Sequence, residues 1–158
     1  MLKIQWPKYF NQDNEIINVF ESYTNKKALQ EYNDAINKIE NFDQEIIAVT
    51  GPMYIYKDFI DVTIILVNTS QFNIANIGID LVLIYQDKFI SGGFLLMEDK
   101  YGEISSNSGI VEFFRVSNQG EFSFEQGVVE KEEYQIKANI SYQKYEESKE
   151  PNKIESTL

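Results

Sequence analysis

The chain has 158 residues, a formal net charge of −11, and neither cysteine nor histidine. That length suits one domain that buries its own core without a disulfide or a metal, and the missing residue types exclude thiol chemistry, thiolate metal sites, histidine triads and the usual imidazole pH switch. The negative charge, with Arg115 as the single arginine, argues against nucleic-acid phosphates and anionic membrane surfaces as partners.

The opening MLKIQWPKYF shows no basic region followed by an apolar one, and no apolar run reaches the ~20 residues of a membrane span. The expected location is therefore cytoplasmic, without membrane insertion. Trp6-Pro7 reads as a packing anchor in an extended segment. Residues 11–41 read as helical. Asp13 is a candidate N-cap ahead of Ile16, Ile17 and Phe20, and Thr24 or Asn25 could cap a second stretch. In that stretch Leu29, Tyr32, Ile36 and Ile39 recur at spacings of three and four, an amphipathic stripe. Residues 1–44 are expected to form an N-terminal helical segment packed on the rest.

From Glu45 the period becomes two. EIIAVTGPMYIY starts a strand and meets a turn signal at Gly51-Pro52. In DFIDVTIILVN one face carries Ile60, Val62, Ile64 and Leu66. The other shifts from Asp61 and Thr63 to Ile65 and Val67, as in a strand covered on both sides. Asn68-Thr69-Ser70 then reads as a loop. NIGIDLVLIYQD aligns Ile77, Ile79, Leu81, Leu83 and Tyr85, and Gln86-Asp87-Lys88 makes a tight connection to KFISGGFLL. The Gly92-Gly93 pair would permit a bulge there. GIVEFFRVSN sets Val111 and Phe113 opposite Ile110, Glu112 and Phe114. EYQIKANISYQ alternates most cleanly, with Tyr134, Ile136, Ala138, Ile140 and Tyr142 inward. After Glu146 the pattern is lost.

Short strands at regular spacing with polar turns predict a fold of α+β class, mainly β. The expected form is an immunoglobulin-like antiparallel β-sandwich over residues 45–145, carrying the N-terminal helical segment, with a flexible polar tail over 146–158.

The run VTIILVNTSQFNIANIGIDLVLIYQDKFISGGFLLMEDKYGEISSNSGIVEFF resembles the SLAP domain of low-GC Gram-positive bacteria, a family linked to S-layer assembly and accessory Sec export. Val67-Asn68, Leu81 to Leu83, Asp87, Gly102-Glu103-Ile104, Asn107-Ser108 and Phe113-Phe114 follow that family's order of motifs. The chain departs from it at Gly109-Ile110, where the family has Pro-Trp. The resemblance covers about the middle half of the chain and implies a non-catalytic protein-binding domain, an accessory factor in bacterial export or surface-layer assembly.

The residues themselves give no catalytic constellation. EISSNSG holds three serines, with no lysine three places after any of them. Glu98, Asp99, Glu130, Glu132 and Glu133 qualify as paired carboxylates only by type and read as solvated turns. Asp99 to Glu103 lacks calcium-loop spacing. The chain is therefore expected not to be an enzyme and to use no cofactor and no metal. Its partner is expected to be a protein; the acidity fits a basic surface on that partner, or solubility alone. Phe72, Phe122 and Phe124 are the candidate contact aromatics, with a core-packed hairpin as the competing reading for Phe122 and Phe124. The alternative function is an acidic inhibitor or immunity protein, acting against a toxin or, as a phage product, against a basic enzyme.

Overall fold

The computed structural model describes residues 2–11, 26–39, 42, 44–123, 127–145 and 151–157. Among them are the strands β1 (Lys3–Gln5), β2 (Ile46–Ile55), β3 (Phe59–Asn68), β4 (Asn73–Tyr85), β5 (Lys88–Leu96), β6 (Ser108–Ser117), β7 (Val128–Val129), β8 (Gln135–Tyr145) and β9 (Pro151–Thr157), and the helix α1 (Lys26–Asn37). They form two facing sheets. One has the order β1-β6-β3-β2-β7 and the other β5-β4-β8-β9. All pairings are antiparallel except β1 with β6, which is parallel. Among the described residues no helix is long and apolar enough to cross a membrane.

The alternation in the sequence sets the inner layer. Ile60, Val62, Ile64 and Leu66 of β3 face Ile77, Ile79, Leu81 and Leu83 of β4, and all are buried. Each such side chain contributes roughly 1.5–3 kcal/mol on burial. Asn76, with φ of 50°, sits where the β4–β8 register shifts between Ala75 and Gly78, so that Ile74 and Ile77 both reach the core. β3 is buried along nearly its whole length on both faces, because Ile65 and Val67 lie under a second cluster with Ile4, Ile36, Val111 and Phe113. Trp6 stacks on Phe113 at 6.2 Å and meets Tyr32 of α1 edge-on at 6.5 Å.

Several elements differ from the sequence expectations. The N-terminal segment is not helical throughout. β1 belongs to the first sheet, and α1 lies against it. Asn33 and Asn37, one helical turn apart, act as the missing neighbour strand of β1. Asn33 accepts from the Ile4 N–H (2.8 Å) and donates to its carbonyl (3.0 Å), and Asn37 does the same for Leu2 (2.9 and 3.0 Å). The expected helix around Asp13, Ile16, Ile17 and Phe20, and the caps at Thr24 or Asn25, lie outside the described residues. Gly51-Pro52 is no turn. β2 runs through it with a register shift between Thr50 and Met53, and the two residues together oppose Thr63. A proline lacks the ladder donor, and a bulge is where a strand tolerates one. Gly92-Gly93 makes no bulge, since the β4–β5 register is unbroken. Gly92 faces inward, where a Cβ would come within 2.8 Å of Val116 Cγ1. The polar end of the chain supplies β9, which pairs with β8 from Ser141↔Thr157 to Tyr145↔Pro151. An edge strand is held by backbone bonds and needs no apolar alternation.

The β4–β5 hairpin turns on Gln86 and Asp87, both with positive φ (50° and 62°), the primed geometry that matches strand twist. Gly109 lies where three strands crowd. A Cβ there would stand 2.5 Å from the Leu66 carbonyl oxygen and 2.8 Å from Ile4 Cδ1. Gly109→Ala should therefore lower stability by about 1–2 kcal/mol through forced backbone shifts. Urea unfolding of the two forms checks this, and equal midpoints would refute it.

Candidate functional site

A groove of about 460 Å³ runs between α1 and the β2 edge, closed on its far side by β7 and the turn after it. Its apolar floor comes from Val49, Pro52 and Ile65, and from Ala28 and Ala35 one face round the helix. Its rim is acidic, with Glu31 on α1 and Glu130 and Glu132 opposite, beside Lys131. The bulge shapes this floor. Tyr134 donates from its buried hydroxyl to the Gly51 carbonyl at 2.6 Å and holds the bulged backbone. Gly51 leaves room for its neighbours, since a Cβ would lie 2.9 Å from Thr63 Cγ2 and 3.4 Å from Tyr32 Cε1. On the rim, Glu130 and Glu133 cap the turn Lys131–Glu133 reciprocally, the Glu130 N–H reaching Glu133 Oε2 at 3.0 Å.

Tyr32 and Tyr54 line the same groove. Burial pushes both hydroxyls above the usual tyrosine range, and the nearby charge of Glu130 adds to it, with Glu31 acting on Tyr32 as well. They remain neutral hydrogen-bonding groups at physiological pH. The site is thus a trough with an oily base, two phenols and carboxylates along its lip.

A second polar cluster lies at the β6 side of the sandwich. Glu112, only 3% exposed, accepts from the Tyr9 hydroxyl with both oxygens (2.9 and 2.7 Å) and from the Phe113 N–H (2.7 Å). Lys100 sits 4.4 Å from the Tyr9 ring centre and 5.5 Å from that of Tyr101, and Tyr9 and Tyr101 pack edge to face at 5.1 Å. A carboxylate so covered cannot reach a substrate. It ties the turn Lys8–Asn11 to β6 and to the helical turn Glu98–Tyr101. On the outer face of the same sheet, Arg115 grips the buried Asp61 with two bonds (2.8 and 3.0 Å) and stacks on Phe59 at 3.7 Å. Among the described residues no three acidic side chains converge as metal ligands would.

The aromatics named from the sequence do not form one patch. Phe72 is half-buried in the β3–β4 loop, with Lys144 Nζ 5.3 Å from its ring centre. Phe122 lies at the opposite end of β4, 4% exposed and packed on Tyr85 at 5.1 Å, so its ring belongs to the core. Asn118 puts it there, by accepting from the Phe122 N–H (2.9 Å) and donating to its carbonyl (2.9 Å) and to that of Tyr56 (2.8 Å). Phe124 lies outside the described residues. The groove was missed because its walls are far apart in sequence. Its one local signal was the acidic run Glu130 to Glu133, broken only by Lys131. No protein-family model, no characterised protein and no solved structure matches this chain.

Proposed function

We propose that this chain is a non-catalytic protein-binding module that takes a basic, amphipathic segment of a partner protein into the groove between α1 and β2. The observation that carries the reading is the acidic lip of Glu31, Glu130 and Glu132 over an apolar floor. An apolar trough gives affinity, and the like charges on its border choose cationic partners and speed their approach. We further propose that the sandwich is immunoglobulin-like. The strand order supports this: β2-β3-β6 on one sheet and β5-β4-β8-β9 on the other reproduce the A-B-E and C′-C-F-G arrangement of such domains. As its setting we propose bacterial export or surface-layer assembly, on the strength of the SLAP resemblance.

The test is chemical-shift mapping with a synthetic peptide of alternating lysine and leucine. Shifts should concentrate on α1, on β2 around the bulge and on residues 128–132. Glu31→Lys combined with Glu130→Lys should weaken binding about tenfold or more, and so should raising the salt from low to physiological. Shifts spread evenly over the acidic surface, or an affinity that the double variant keeps, would refute the groove as the site.

A further inference from the structure

We propose that two copies of this chain pair through the free edge of β5, antiparallel and in register about a two-fold axis at Gly92. Among the described residues β5 is an outer strand of its sheet, bonded to β4 alone. It carries two large exposed apolar side chains, Phe89 (68%) and Leu95 (62%). Between Phe89 and Leu96 it holds no charge, no proline and no register break, the devices that usually blunt such an edge. The contrast with β1 is direct, because there Asn33 and Asn37 of α1 occupy the outer backbone groups.

The register follows from the hairpin. Tyr85 and Lys88 close the two-residue turn, so they form the first hydrogen-bonded pair with β4. Alternation then directs the N–H and C=O of Phe89, Ser91, Gly93 and Leu95 away from β4. A two-fold pairing joins outward groups to outward groups only when its axis passes through a residue. An axis at Gly92 sets Ser91 opposite the second copy's Gly93, and Phe89 opposite the second copy's Leu95. Both exposed apolar side chains are three positions from that axis and lie on the same outer face, so each covers its counterpart. This self-complementarity is what selects a second copy over a foreign strand.

The contact is small. One strand edge and two side chains cover less than about 1,200 Å² in total, the low end for specific association, so the dimer is weak and dependent on concentration. The acidic groove lies on the other sheet, so the peptide experiment and this one fail independently.

Sedimentation equilibrium of the full chain should show a monomer–dimer equilibrium with a dissociation constant on the order of 10–100 μM. Ser91→Pro removes an outward N–H without touching the β4 ladder, and Leu95→Lys places a charge on the edge. Each should weaken the dimer about tenfold or more, with the dilute monomer's thermal midpoint unchanged. The chain lacks cysteine, so Met97→Cys carries one spin label per copy. Ten residues of strand rise put the two labelled backbones about 30–35 Å apart in this register. A chain monomeric at concentrations on the order of 1 mM, a dimer that both edge variants keep, or a label separation that backbones so spaced cannot give once the label arms are counted would overturn the proposal.

Discussion

Asn68→Ala should lower stability by about 2–4 kcal/mol, although the residue touches no groove and sits at the end of a strand. Asn68 is fully buried and uses its whole amide. It donates to the carbonyls of Phe72 (2.7 Å) and Ile104 (3.0 Å) and accepts from the Ser70 N–H (3.0 Å) and hydroxyl (2.6 Å). These four bonds hold the crossing from one sheet to the other, and they tie it to the segment that leads into β6. Alanine leaves the Ser70 N–H without this acceptor in a buried site and opens space beside it. In a chain of this size each kcal/mol moves the thermal midpoint by about 2–4 °C, so the shift is easily read by calorimetry. Asn68→Asp is the discriminating control. It keeps the acceptor but turns a carboxylate oxygen toward two carbonyls, so it should be at least as damaging as alanine. An aspartate variant as stable as the parent would show that the donor side of the amide does nothing.

Asn118 repeats this device at the other end of the sandwich, and the pair explains part of what the sequence conceals. An asparagine in a polar run reads as a turn former, which is correct locally for both residues. What the run does not reveal is whether the side chain points out or becomes the anchor of the loop. At Asn118 it is the anchor, and the loop folds back to bury Phe122. The sequence leaves Phe122 open between a contact aromatic and a core-packed hairpin, and the bonds of Asn118 decide for the core.

The legible parts were those with one covered face. β4 shows a row of apolar residues at period two because a single layer packs on it. In β8 Ile140 and Tyr142 continue such a row into the core, but Ala138, expected inward, is exposed and Ile136 only partly buried, because the cover runs out along that half of the strand. β3 showed its double burial in the change from Asp61 and Thr63 to Ile65 and Val67. The illegible parts depend on distant backbone. β1 has three residues and exists because β6 and two asparagines of α1 satisfy its peptide groups. β9 pairs along β8 with no apolar stripe of its own. Gly51-Pro52 has the same local chemistry whether it turns the chain or bulges a strand, and only the continued pairing with β3 decides. The candidate groove required α1, this bulge and β7 together, and no window of sequence contains all three.

Glu112 should give the other large effect, with a sign that depends on pH. Burial raises its carboxyl above the ordinary range, and the bonds from Tyr9, the Phe113 N–H and Tyr101 and the charge of Lys100 only partly offset this. The folded chain therefore keeps the proton to higher pH than the unfolded one. The stability linked to this group is fully present below the unfolded value near 4.5 and is lost as pH rises through the folded value. Other carboxylates run the opposite way. Glu45, lowered chiefly by its bond to Lys144 at 2.7 Å, favours folding above its unfolded value. The whole-protein profile thus mixes both signs, and the difference between parent and Glu112→Gln isolates one. Glutamine keeps an acceptor for Tyr9 without the buried charge. The parent's stability relative to Glu112→Gln should fall as pH rises through that window, and then level off. Urea unfolding at a series of pH values measures this difference, and parallel profiles would refute a raised carboxyl. Glu112→Ala acts differently, because it takes the acceptor from the Tyr9 hydroxyl and the Phe113 N–H in a site closed to water. It should cost about 3 kcal/mol at neutral pH, whereas glutamine there should be close to neutral or stabilising.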